Sequence, residues 1–111
     1  IVKDESIVET MNPNIEKIAE LDSRGLIVSA KGETTDFTSR VFGPNVGVDE
    51  DPVTGSAHAL LATYWGDVLN LQKMKARQAS KRGGELICEV LENNVEITGK
   101  AKLYLQGEIY F

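Results

Sequence analysis

Apolar positions along this chain recur at two different intervals, and each change of interval marks a new element. From Ile15 the apolar residues Ile15, Ile18, Ala19 and Leu21 stand at helical spacing, with Glu16, Lys17 and Glu20 between them. Asn12-Pro13-Asn14 suits a helix start, because Asn caps free N–H groups and Pro tolerates the first turn. This predicts a surface helix ending near Arg24-Gly25, glycine being the common residue past a C-terminus. Ahead of it, Ile1-Val2 and Ile7-Val8 flank the polar run Lys3 to Ser6, which predicts a short strand and a turn.

The interval then falls to two. Leu26 to Ala30 is a short β-branched run that predicts a buried strand, closed by Lys31-Gly32. Asp36 to Phe42 sets Phe37, Ser39 and Val41 against Thr38, Arg40 and Phe42, a strand with one aromatic on each face. Gly43-Pro44-Asn45 ends it with turn chemistry. Of the nine residues Ala57 to Trp65, only His58 and Thr63 are not apolar, so a helix there is buried nearly all round. Met74 to Ser80, Glu85 to Leu91 and Val95 to Thr98 return to strand patterning, with turns at Gly83-Gly84 and Glu92-Asn93-Asn94. Ala101 to Leu105 and Glu108 to Phe111 predict two last strands around Gln106-Gly107. The pattern as a whole is an α+β domain over 1–111, strand-rich, with one peripheral helix and one central helix.

Composition changes this picture little, but it removes whole classes of function. With 111 residues, 41% hydrophobic and 26% charged, the chain suits one soluble domain. A formal charge of -5 repels polyanions, which argues against nucleic acid as a partner. No apolar run reaches the 18 or so residues of a membrane span, and no charged-then-apolar leader precedes the first element. The single cysteine, Cys88, leaves no internal disulfide framework and suits a reducing cytosol, so a cytoplasmic location is expected. Ile rather than Met at position 1 suggests a piece of a longer protein.

Candidate chemistry concentrates between Val48 and Leu69. Thr54, Gly55 and Ser56 suit the N-terminus of the buried helix, whose free N–H groups and positive dipole end can hold a carboxylate or phosphate. Glu50 and Asp51 stand just outside. Adjacent residues of an extended segment point to opposite sides, so only one carboxylate faces a pocket; Pro52 holds Asp51 extended. Each feature also has a structural reading. Asp51 and Ser56 can serve only as turn and cap, His58 as a satisfied core histidine, Tyr64 and Trp65 as core packing, and Cys88 as a small buried hydrophobe. Lys73, Lys75, Arg77, Lys81 and Arg82, with no acid between them, read first as a solvated face and second as a field drawing an anion toward the site.

Several strings together resemble a family. Arg40-Val41-Phe42-Gly43-Pro44, then Glu50-Asp51-Pro52-Val53-Thr54-Gly55-Ser56-Ala57-His58, Tyr64-Trp65, and Gln78-Ala79-Ser80-Lys81-Arg82-Gly83-Gly84-Glu85-Leu86 are similar to the C-terminal half of phenazine-biosynthesis PhzF-like proteins, from about Leu26 onward. The resemblance implies the diaminopimelate-epimerase-like fold: two halves, each a mixed, strongly curved sheet or barrel wrapped around a central helix, with the active site between them. It implies a proton-shift isomerase acting on a small carboxylate-bearing metabolite without metal or organic cofactor; the phenazine enzyme itself isomerises a dihydro-hydroxyanthranilate. By motif, Asp51 is then the active-site aspartate, and Gly55 and Ser56 bind substrate. The family's catalytic glutamate and its partner histidine belong to the other half, which has no copy here. The expected partners are therefore a small anionic substrate and an N-terminal half or second copy of the chain, giving a homo-oligomer. A non-catalytic carboxylate-binding or self-associating module is the alternative.

Overall fold

A strand with apolar residues on both sides has to be covered on both, and Phe37–Phe42 is such a strand. The computed structural model describes residues 1–111, in which two short helices, α1 (Glu5–Thr10) and α2 (Ile15–Ala19), precede β1 (Leu26–Lys31) and β2 (Phe37–Phe42). Helix α3 (Gly55–Leu69) follows, then β3 (Lys73–Gln78), β4 (Gly84–Val90) and β5 (Val95–Gly99). The strands form one sheet in the order β1-β2-β3-β4-β5. Only β2 and β3 are parallel. A parallel pair needs a crossover, and α3 supplies it. Its N-terminus therefore stands at the carboxyl ends of β2 and β3, where such folds place their ligands.

The alternation of β1 and β2 distributes side chains between two layers. Phe37 joins Leu61, Ala62, Trp65, Met74, Ala76, Leu86 and Cys88 in the main core beneath α3. Trp65 donates its indole N–H to Ser29 Oγ at 2.9 Å and stacks on Phe37. On the opposite face Val28, Ala30 and Phe42 pack with Val8 of α1 and Ile18 of α2. One aromatic of β2 thus lies on each side, as its alternation predicts.

Several expectations need correction. The sheet has five strands and is not closed into a barrel, because residues 100–111 form no strand and the sheet ends at β5. Consequently α3 is not wrapped: Ala57, His58, Leu61, Ala62 and Trp65 are buried, whereas Leu60, Tyr64 and Val68 are 68%, 43% and 55% exposed. The N-terminal segment is helical, since Asp4 accepts from the Ile7 N–H at 3.1 Å and so caps α1. There are accordingly two short helices beside the long one, and the peripheral helix over Ile15 stops at Ala19 instead of near Arg24. No helix is long and apolar enough to cross a membrane.

Candidate functional site

The turn from Asp51 to Thr54 is fixed at each of its residues. The Asp51 N–H donates to the Val41 carbonyl of β2 at 3.0 Å, and the Asp51 carbonyl accepts from Gln78 Nε2 at 2.6 Å. The Pro52 carbonyl accepts from the Ser80 hydroxyl at 2.8 Å. Val53 fills the space above Gly84, where a Cβ would lie 2.3 Å from Val53 Cγ2; only glycine lets the turn come so close. Thr54 gives its N–H to Gln78 Oε1 at 2.8 Å and accepts from Gln78 Nε2 at 3.1 Å. The β3–β4 hairpin thus grips four consecutive residues.

This grip decides what Thr54 does for the helix behind it. Its hydroxyl donates to Asp51 Oδ2 at 2.6 Å, and its oxygen is already an acceptor for Gln78. Thr54 occupies the N-cap position of α3 yet makes no side-chain cap hydrogen bond, and the first turn holds no acidic residue. The leading N–H groups of a 15-residue helix are left without a side-chain acceptor at its positive end. Asp51 Oδ1 makes no hydrogen bond to any protein group, whereas Oδ2 is engaged by Thr54.

His58 supports the same turn from below. A carbonyl can only accept, so the 2.8 Å contact between Nδ1 and the Thr54 carbonyl puts the proton on Nδ1. Nε2 is then free to accept from the Ser39 hydroxyl, 3.4 Å away. Burial holds the His58 pKa below its ordinary value, which keeps the ring neutral and this tautomer fixed. It is a core histidine, stacked on Phe37.

A cleft of about 390 Å³ opens beside the turn. Asp51, Thr54, Ser56 and Ala57 form one wall; Ile27, Val41, Phe42 and Val48 supply apolar surface; Arg24 is its one cationic side chain. Glu50 does not line this cleft. Arg40 holds it from the other side, Nε to Oε1 at 2.7 Å and Nη2 to Oε2 at 3.0 Å. The two adjacent carboxylates thus have different surroundings.

Of the three candidate residues, Asp51 and Ser56 share the cleft wall, while Gly55 lies beside it with open space where a Cβ would stand. Tyr64 is not core: it meets Trp65 edge-on and remains half exposed. Cys88 is fully buried, and burial pushes its thiol up to about 11, so it is no nucleophile. In the basic run, Lys73 pairs with Glu89, Lys75 with Glu85, and Arg77 with Glu9 and Glu5, so most of its charge is neutralised locally. Lys81 and Arg82 border a separate polar hollow with Glu50, Pro52 and Ser80. Pattern reading assigned no role to Gln78 or Arg40, although both stand inside the motif strings. The signal was present as polar residues at inward strand positions, which have to be satisfied by something.

Comparison with known proteins places these elements. A family model described as phenazine biosynthesis-like protein matches residues 1–107. A Pseudomonas aeruginosa protein described as an uncharacterized isomerase is 44% identical over 110 residues, covering 99% of this chain and 42% of the relative. A human phenazine biosynthesis-like domain-containing protein is 41% identical over 119 residues, covering 97% of this chain and 41% of the relative. A crystal structure of a PhzF-family phenazine biosynthesis protein from Enterococcus faecalis superposes with a TM-score of 0.90 at 49% identity, over 99% of this chain and 43% of that one. The chain spans well under half the length of each of these relatives.

Proposed function

The chain belongs to the phenazine biosynthesis-like family, whose relatives here include proteins described as isomerases, and on that premise we propose that it forms one wall of a proton-shifting isomerase site. The observation that carries the reading is the asymmetry of Asp51, a residue of the cleft wall beside an uncapped helix start: Oδ2 is occupied by Thr54, while Oδ1 has no protein partner. Oδ1 is the oxygen that takes or returns the proton. The substrate's carboxylate sits at the N–H groups of Gly55 and Ser56, where helix partial charge offsets it. As a C–H bond of the substrate breaks, its electron pair moves into the conjugated carboxylate system, and a proton is delivered at another carbon by a second group. That second group comes from a counterpart half, since Glu50 is held away by Arg40 and His58 is buried and neutral. The exposed stripe Leu60, Tyr64 and Val68 is apolar surface of the kind a counterpart covers.

The test replaces the matching segment of the P. aeruginosa relative with this chain and follows solvent deuterium into dihydro-hydroxyanthranilate and other small carboxylates by mass spectrometry. Asp51→Asn keeps an acceptor for Thr54 but cannot carry the proton, so exchange falls by about 100-fold or more. Undiminished exchange in Asp51→Asn defeats the proposal.

A further inference from the structure

We infer that Gln78 is a positioning residue for Asp51: from β3 it sets the direction of the hydrogen bonds so that the Thr54 hydroxyl donates to Oδ2 and Oδ1 is left for the substrate. This rests on the isomerase reading, but its geometry stands apart from it.

Gln78 is fully buried at the carboxyl end of β3. Its amide has one possible orientation. The Thr54 N–H can only donate, so Oε1 must face it, and Nε2 then faces the Asp51 carbonyl at 2.6 Å and Thr54 Oγ1 at 3.1 Å. Both Nε2 hydrogens are used. With Oγ1 accepting from Nε2, the hydroxyl proton is directed elsewhere, and Asp51 Oδ2 receives it at 2.6 Å. Donor direction thus runs from Gln78 through Thr54 to Asp51. A residue serving only to fill space needs no such polarity; an apolar side chain fills space without leaving donors to satisfy.

Gln78→Glu separates the two roles. It keeps an acceptor for the Thr54 N–H but turns the Nε2 donor into an acceptor, which draws the Thr54 proton away from Asp51. Measurements belong at mildly alkaline pH, because burial favours the protonated acid, whose O–H would stand in for the lost donor. In the 111-residue chain, carbon NMR of the Asp51 carboxyl should show the same displacement in Gln78→Glu as in Thr54→Val, with no further change in the double variant. In the hybrid enzyme used above, kcat should drop about tenfold with KM within about twofold. A Gln78→Glu chain whose Asp51 resonance and kcat match wild type overturns the inference, even with a lowered melting temperature. A wild-type hybrid without exchange instead sinks the isomerase reading, and the resonance comparison still decides the hydrogen-bond direction.

Discussion

The two faces of the sheet are fed by alternate residues of the same strands, yet different forces hold them. On the α3 face Phe37, Leu61, Trp65, Met74 and Leu86 make a continuous apolar core. On the α1 face the apolar cluster is smaller, and charged groups add to it, where the buried polar groups of the α3 face (Ser29, Ser39, His58 and Gln78) are neutral. Glu5 there accepts from the Thr38 hydroxyl and, at 2.9 Å, from the Glu33 N–H, with Arg77 3.5 Å away. Arg40 stacks over Phe42, donates to the Val8 and Met11 carbonyls, and reaches round to Glu50. Helices of six and five residues cannot bury enough surface to dock by hydrophobic contact alone, whereas one of fifteen can. Long helices can be packed on; short ones have to be latched.

That contrast can be broken at four strengths. The largest effect is expected from Trp65→Ala, which empties the α3 core and removes the bond to Ser29; urea unfolding should report a loss of about 3–5 kcal/mol. A loss below about 1 kcal/mol would deny the apolar face its dominance. Thr38→Val comes next, since it takes a donor from the buried Glu5 carboxylate, and should cost about 1–3 kcal/mol. Amide exchange should then quicken in α1 first and leave α3 protected. Acid unfolding sharpens the comparison further, because each face holds a buried group with a depressed pKa. Burial lowers the pKa of His58, so the unfolded chain takes up its proton first and α3-face stability falls as pH drops below 6.5. The Thr38 hydrogen bond is the main cause that lowers the Glu5 pKa, so α1-face stability falls only below about 4.5. Stability that does not change between pH 7 and 5 would contradict the first window. The smallest effect belongs to Lys75→Ala, whose exposed pair with Glu85 should change stability by no more than about 0.5 kcal/mol.

How much of this was legible depended on whether the information was local. The alternation along Phe37–Phe42 named both faces of β2 correctly, and the Thr-Gly-Ser string marked the stretch in which α3 starts. Pairs of β-branched residues at Ile1-Val2 and Ile7-Val8 suggested a strand; the Asp4 cap and the docking of Val8 against Val28 outweighed that preference. Residues 101–111 carry the apolar and aromatic runs Leu103 to Leu105 and Ile109 to Phe111, but such composition only makes a segment fit to pair and cannot provide a partner. The uniform apolarity of Ala57 to Trp65 could not say which side the sheet covers, and so Tyr64 was misplaced. The place of Asp51 beside the start of α3 was readable because its motif is contiguous. Gln78 was not, since its partners lie 24 and 27 residues earlier in the chain.

That same separation has a consequence for the order in which the molecule is made. Synthesis from the N-terminus delivers Asp51 before the strand that fixes it, and at about 5–20 residues per second the gap lasts about 1–5 s. Through that interval the side chain that meets the Asp51 carbonyl, the Thr54 N–H and the Thr54 hydroxyl is missing from the chain. The turn at the start of α3 therefore reaches its final hydrogen bonding only once β3 has been made.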